Sequence, residues 1–270
     1  MSVPGGSERA LPAATGAEHG RAAALAFMRR GVEMTAERMI PVDCGWVVRH
    51  TGFPHVWDLN RLSVVRPAST SAALDLVDAH LHDLPFRHIE VEDQPTGDRL
   101  EADLTGAGWR VQALLVMILA AEPPPASRGG PVIAAEEDET VGLMRRWHQE
   151  DFPQMPSSVL DELGEHRRRL GAAWAERRFG ARDAAGNLAA VAKLRSDGST
   201  AQVEDVYTVP EWRRHGCART LVTHAVRLAL DEGHRVVFIV ADQNDWPRHL
   251  YAEVGFRPVA LVRTLHRDGR

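Results

Sequence analysis

The stretch Val206-Tyr-Thr-Val-Pro-Glu-Trp-Arg-Arg-His-Gly-Cys-Ala-Arg-Thr-Leu-Val222 decides how this chain reads. A strand pattern stops at Pro210, a short basic loop follows, and a helix pattern starts beside Gly216. The first amides of a helix have no intrahelical acceptor, and the helix dipole adds partial positive charge there. Such an end holds a phosphate group well. Arg213, Arg214 and Arg219 add formal charge, and Gly216 lets the backbone approach an anion with no side chain between them. Ala218 keeps the first helical turn tight against the strand. The stretch contains no Gly-Lys-Ser/Thr, which excludes a P-loop. No G-x-G-x-x-G follows the strand, which disfavours a dinucleotide fold.

Arg213-Arg214-His215-Gly216-Cys217-Ala218 has the form R-x-x-G-x-A. Preceded by Val206-Tyr-Thr-Val-Pro210, it closely resembles the coenzyme A-binding motif of the GNAT N-acetyltransferase superfamily. Downstream, Asn244-Asp-Trp-Pro-Arg-His-Leu-Tyr-Ala-Glu-Val-Gly-Phe256 resembles that family's second motif, an asparagine several residues before Leu-Tyr-x-x-x-Gly-Phe. The resemblance runs from about Val132 to the C-terminus. It implies an α/β (α+β) fold with a mixed central sheet flanked by helices. Two parallel strands, 201–209 and 236–241, are expected to splay apart and admit the pantetheine arm of acetyl-CoA, the expected cosubstrate. By the same resemblance the backbone of Val206, Tyr207 and Thr208 would pair with the pantetheine amides. Arg213 and the backbone of Arg214, His215, Gly216, Cys217, Ala218 and Arg219 would cradle the pyrophosphate. Asn244 would contact the cofactor near the second strand. Tyr251 falls where the family commonly places the general acid, and its ordinary pKa of about 10 keeps it protonated at neutral pH.

The expected reaction is acetyl transfer to a primary amine of a small molecule or peptide, by direct attack in a ternary complex. A non-catalytic acyl-CoA sensor or scaffold is the alternative from another class, and Tyr251 argues against it, since a sensor needs no general acid. A transferase for a longer acyl group is a third reading. Glu204, on the cofactor strand, either deprotonates the amine, directly or through water, or pairs with an arginine across the sheet. Cys217 reads as a small helix-start residue rather than a nucleophile, because direct transfer needs none. Trp147, Phe152 and Trp174 fall where the family builds its acceptor site, or else are ordinary core. Asp151, Asp161, Glu162 and Glu165 suit a cationic amine, or else form a solvated helix face.

Outward from this segment, Ala121-Glu-Pro-Pro-Pro-Ala-Ser-Arg-Gly-Gly-Pro131 divides the chain into 1–120, a linker at 121–131, and a catalytic 132–270. In the second half strands are expected at 132–135, 174–183, 188–195, 201–209, 236–241 and 258–265. Its helices are expected at 139–150, 158–170, 217–232 and 247–253, the second capped by Ser157 or Ser158 and the third closed by Gly233. The first half reads as strand 56–65, helix 71–82, strand 87–92, helix 98–105 and strand 110–119. Leu104-Thr-Gly-Ala-Gly-Trp-Arg-Val-Gln-Ala-Leu-Leu115 aligns with Tyr251-Ala-Glu-Val-Gly-Phe-Arg-Pro-Val-Ala-Leu-Val262, which suggests two tandem copies, the first degenerate. Arg66-Pro-Ala-Ser-Thr70 carries no R-x-x-G-x-A, and Leu104 stands in the place of Tyr251. The first half is therefore expected to bind no acyl-CoA and to pack on the active half or shape the acceptor site, with binding of a separate ligand as the alternative.

Composition agrees. The 270 residues are 44% hydrophobic and 26% charged with net charge -5, which removes the electrostatic footprint of a nucleic-acid binder. No run approaches the roughly 20 apolar residues of a membrane helix. The opening MSVPGGSERALPAATG has neither basic start nor apolar core, so a cytoplasmic location is expected. Cys44 and Cys217 make no zinc signature, and no metal is expected. The basic residues are arginine except for Lys193, which reads as compositional bias. Oligomeric state is not legible.

Overall fold

The computed structural model describes residues 14–125 and 130–269. Most of the opening stretch, and residues 126–129 of the linker, lie outside the described residues. In chain order the elements are α1 (Ala14–Thr35), β1 (Arg38–Val42), β2 (Gly45–Arg49), β3 (Arg61–Val64), α2 (Thr70–Leu81), β4 (Phe86–Val91), α3 (Gln94–Leu104) and β5 (Arg110–Leu119). After the linker come β6 (Ile133–Ala134), α4 (Glu137–Asp151), α5 (Ser157–Ala173), β7 (Arg177–Arg182), β8 (Leu188–Ser196), β9 (Thr200–Thr208), α6 (Cys217–Asp231), β10 (Val236–Asp242), α7 (Pro247–Val254) and β11 (Phe256–Asp268). The second half follows the expected order throughout. The α5 cap differs: Pro156 stands at the cap position and makes no side-chain bond, and Ser157 and Ser158 lie inside the helix. In the first half, 56–60 is not strand. Trp57–Leu59 is a 3-10 turn, locked by Asn60 donating to the Phe53 and Val56 carbonyls.

All described strands join one mixed sheet in the order β1-β2-β3-β4-β11-β5-β10-β9-β8-β7-β6. The pattern of three antiparallel strands, helix, parallel strand, helix, closing strand occurs twice, at β1–β5 and at β7–β11. The closing strands are exchanged. β5 pairs with β10 of the second half, and β11 pairs with β4 of the first. The two also pair with each other at the centre. The Pro-rich linker therefore divides the chain but not the sheet.

β10 runs Val-Val-Phe-Ile-Val-Ala-Asp because both of its faces are covered. Phe238 meets Phe27 of α1 edge-on at 5.5 Å, and Phe27 stacks on Trp174 at 4.0 Å. Val237 and Ile239 point the other way, into a core with Leu221, Val222, Ala225 and Ala229 of α6. These α6 residues recur at helical spacing and are fully buried, as the periodicity predicts.

Candidate active site

Two matching strand pairs behave differently. In the first half the parallel ladder of β3 and β4 runs to its end, through Val64↔Val91, and the Glu92 amide closes it on the Val64 carbonyl at 2.8 Å. In the second half the β9–β10 ladder stops at Val203↔Ile239, although β9 continues to Thr208 and β10 to Asp242. The gap opens where β9 carries a bulge against β8, between Val191↔Tyr207 and Lys193↔Glu204. Asp205 occupies the bulge with φ 50, a left-handed conformation rare for a residue with a side chain.

Past the bulge the Val209 amide donates to Ala189 at 2.9 Å. Backbone alternation then turns Tyr207 toward β8 and Val206 and Thr208 toward the gap. The Tyr207 backbone is thus engaged with β8, whereas its ring stacks on Trp147 and its hydroxyl donates to Glu150 at 2.6 Å. Thr208 Oγ1 is buried with no partner among the described residues.

At the end of β9 the chain enters a 3-10 turn at Pro210–Trp212, then Arg214 (φ 66) and Gly216 (φ 83) bring it into α6. The first amide bonded across the start of α6 is that of Thr220, to Gly216 O at 3.0 Å. Among the described residues nothing accepts from the amides of Arg214 through His215, Gly216, Cys217 and Ala218 to Arg219. At the matching helix of the first half, Ser69 fills the cap by accepting from the Ala72 amide. Gly216 brings no such group. Arg213 braces the loop through Thr208 O (3.1 Å) and Glu150 (2.9 Å), and His215 bonds Arg213 O. Arg219 pairs with Glu253 of α7. Burial raises the Cys217 thiol pKa, which leaves it a poor nucleophile. Asn244 is exposed on the turn after β10, its amide bonded to Asp242.

Glu204 is the first β9 residue past the end of the ladder. Burial raises its pKa, Arg195 opposes the rise, and Asp205 adds to it. Its side chain keeps 30% exposure, toward a cavity of about 410 Å³. Tyr251 is buried on α7, and burial followed by the charge of Glu204 raises its pKa, so it stays protonated. Beneath Glu204 lies a buried charge cluster. Lys193 Nζ is 2.9 Å from Asp205, Arg195 Nε 3.0 Å from Glu176, and Arg167 Nε 3.3 Å from Asp205. Burial would raise the Asp205 pKa, but Arg167, Lys193 and Arg195 hold it well below the ordinary carboxylate value.

The cavity lies between the halves. Glu204, Arg195 and Arg167 form one wall, while Trp57, Phe86 and His266 form another. Phe152, one of the candidate acceptor aromatics, sits at its rim, 46% exposed. Trp174 does not reach it, being core beneath α1, and Asp161 and Glu165 pair outward with Arg145 and Arg169. The sequence suggests that the first half shapes the acceptor site, but not that Trp57, Phe86 and His266 do so. Only the pairing of β11 with β4 brings Phe86 and His266 together.

An opened parallel pair beside a bare helix start is the arrangement of an acyl-CoA-dependent transferase, and the chain is an acyltransferase. Residues 141–256 match the model of the Acetyltransferase (GNAT) family, a family whose cosubstrate is acetyl-CoA. A protein of unknown function from Staphylococcus epidermidis is similar in fold (TM-score 0.69, 11% identity, 89% of this chain and 97% of that one). So is a GCN5-related N-acetyltransferase from Kribbella flavida (TM-score 0.57, 17% identity, 94% of this chain and 96% of that one). A third, from Sphaerobacter thermophilus, is also a GCN5-related N-acetyltransferase (TM-score 0.52, 15% identity, 73% of this chain and 66% of that one). No curated protein matches the chain.

Proposed function

We propose that the second half transfers the acetyl group of acetyl-CoA to a primary amine, and that the first half completes the acceptor site. The observation that carries this is the β9–β10 ladder, broken where Glu204 begins and left open past Thr208. The residues fit the cosubstrate: unpartnered amides from Arg214 to Arg219 suit its pyrophosphate, and the gap-facing edge at Val206 and Thr208 suits its amide-bearing arm. Bound there, acetyl-CoA supplies an activated thioester.

The chain's own residues do the rest. Glu204, whose proton affinity its burial raises, receives a proton from the substrate ammonium, directly or through water. The neutral amine then forms the new C–N bond as the C–S bond breaks. The Val206 amide, turned to the gap, donates to the carbonyl oxygen as charge develops on it. Tyr251 gives its hydroxyl proton to the departing sulfur, and the second proton that the nitrogen sheds on becoming an amide restores the phenol, directly or through water.

Tyr251→Phe tests this, because it keeps the ring's packing and removes only the hydroxyl. The expected result is a kcat lower by roughly 10²–10⁴, with acetyl-CoA affinity little changed. Unchanged turnover on an identified amine removes Tyr251 from the mechanism.

A further inference from the structure

The cavity beside Glu204 has an unusual charge arrangement, since nearly every ionised group in its lining is already engaged by the protein. Asp58 pairs with Arg61 at 3.2 Å, Asp268 with Arg110 at 2.8 Å, and His55 with Glu162 at 2.8 Å. Asp205 is held by Lys193 and Arg167, and Arg195 by Glu176. Burial lowers the pKa of His148 and His266, and brings His166 down to about 4, so these rings are neutral at pH 7. Glu204 is the exception. It bonds Gln202 and reaches Arg195 only at 4.0 Å.

The remaining lining is apolar, and one wall of it is aromatic. The Trp57 ring lies 3.9 Å from that of His266 and meets Phe152 edge-on at 6.4 Å, with Phe86 and Leu163 beside them. At about 410 Å³ the space is at the small end of ligand pockets. A substrate entering it can place one ammonium at Glu204. Any second charge, a carboxylate or another ammonium, would meet only groups that already have an ion-pair partner. A planar body would instead stack in the aromatic wall.

We propose that the acceptor is a primary monoamine with a flat apolar body, an arylalkylamine, seated with its amine at Glu204 and its ring against Trp57. This rests on the transfer reading above, which assigns Glu204 to the amine. The test is acetyl-CoA-dependent thiol release by the full chain with 2-phenylethylamine, phenylalanine, butylamine, spermidine and an aminoglycoside. The expected result is kcat/KM for 2-phenylethylamine at least tenfold above each of the others. Trp57→Phe and Phe152→Ala should narrow its advantage over butylamine by raising KM with little change in kcat. Phe152 is exposed, so its replacement leaves the fold intact. If phenylalanine, butylamine, spermidine or the aminoglycoside is used as well or better, this inference falls and acetyl transfer stands. If the protein binds acetyl-CoA and acetylates none of them, the transfer reading falls and takes this one with it.

Discussion

Lys193 is the only lysine in a chain whose Lys and Arg total 32, and it is not at the surface. It lies opposite Glu204 across β8 and β9, 2% exposed, with its ammonium 2.9 Å from Asp205 and 3.8 Å from Glu176. Asp205 is the residue with positive φ at the bulge, so the pair holds β9 in the shape that opens the gap. What composition alone makes look like bias is a buried contact in the structure. Lys193→Met leaves the Asp205 and Glu176 carboxylates short of a cation, and removing one partner of a buried pair destabilises by about 3–5 kcal/mol. Urea unfolding of the variant should show a loss of that order. A loss below about 1 kcal/mol would mean that Arg167 and Arg195 suffice to hold the bulge.

Among the elements, α1 and the end of β4 meet at an ion pair that makes a pH signature. Glu92 faces Arg29 at 3.5 Å, and burial pushes its pKa up to about 7 despite that arginine. The folded state therefore keeps a proton that the unfolded chain, with an ordinary glutamate, has released. Stability from this group is complete below about pH 4.5 and declines as pH rises through 7, by about 3 kcal/mol in all. Glu92→Gln cannot titrate. The stability of the wild type relative to Glu92→Gln should fall across that window, and a flat difference would show that Glu92 ionises normally in the fold. None of this was legible, because α1 itself was not read. Its buried stripe uses small residues, Gly20, Ala24 and Gly31, beside Phe27, so the apolar period is faint. A Cβ at Gly20 would stand 2.7 Å from Ile118, which explains why a small residue is needed there. Elsewhere, strong periodicity made α6 and β10 plain, whereas Val56 and Leu59 imitated a strand until Asn60 is seen to fold them into a turn.

Across the whole molecule, the repeated Gly-aromatic-strand signature at Gly108 and Gly255 was readable, but the exchange of the two closing strands was not. β5 and β11 carry the same pattern, and alternation of side chains cannot say which neighbour each one takes. The site divides in the same way. Its phosphate loop and Tyr251 lie in contiguous motifs, while its acceptor wall depends on long-range pairing. The exchange also means that the second half alone lacks the strand beside β10, so binding is best measured on the full chain. The central claim is that one gap, between β9 and β10, takes one acetyl-CoA, while the closed β3–β4 pair takes none. Calorimetric titration of the full chain with acetyl-CoA tests this most directly, alongside Gly216→Glu checked for folding by circular dichroism. That substitution places negative charge at the phosphate amides, and the left-handed φ of 83 adds about 1–2 kcal/mol of strain. The account predicts one acetyl-CoA per chain and none bound by the folded variant. Two per chain, or unchanged affinity in a folded Gly216→Glu protein, would contradict it.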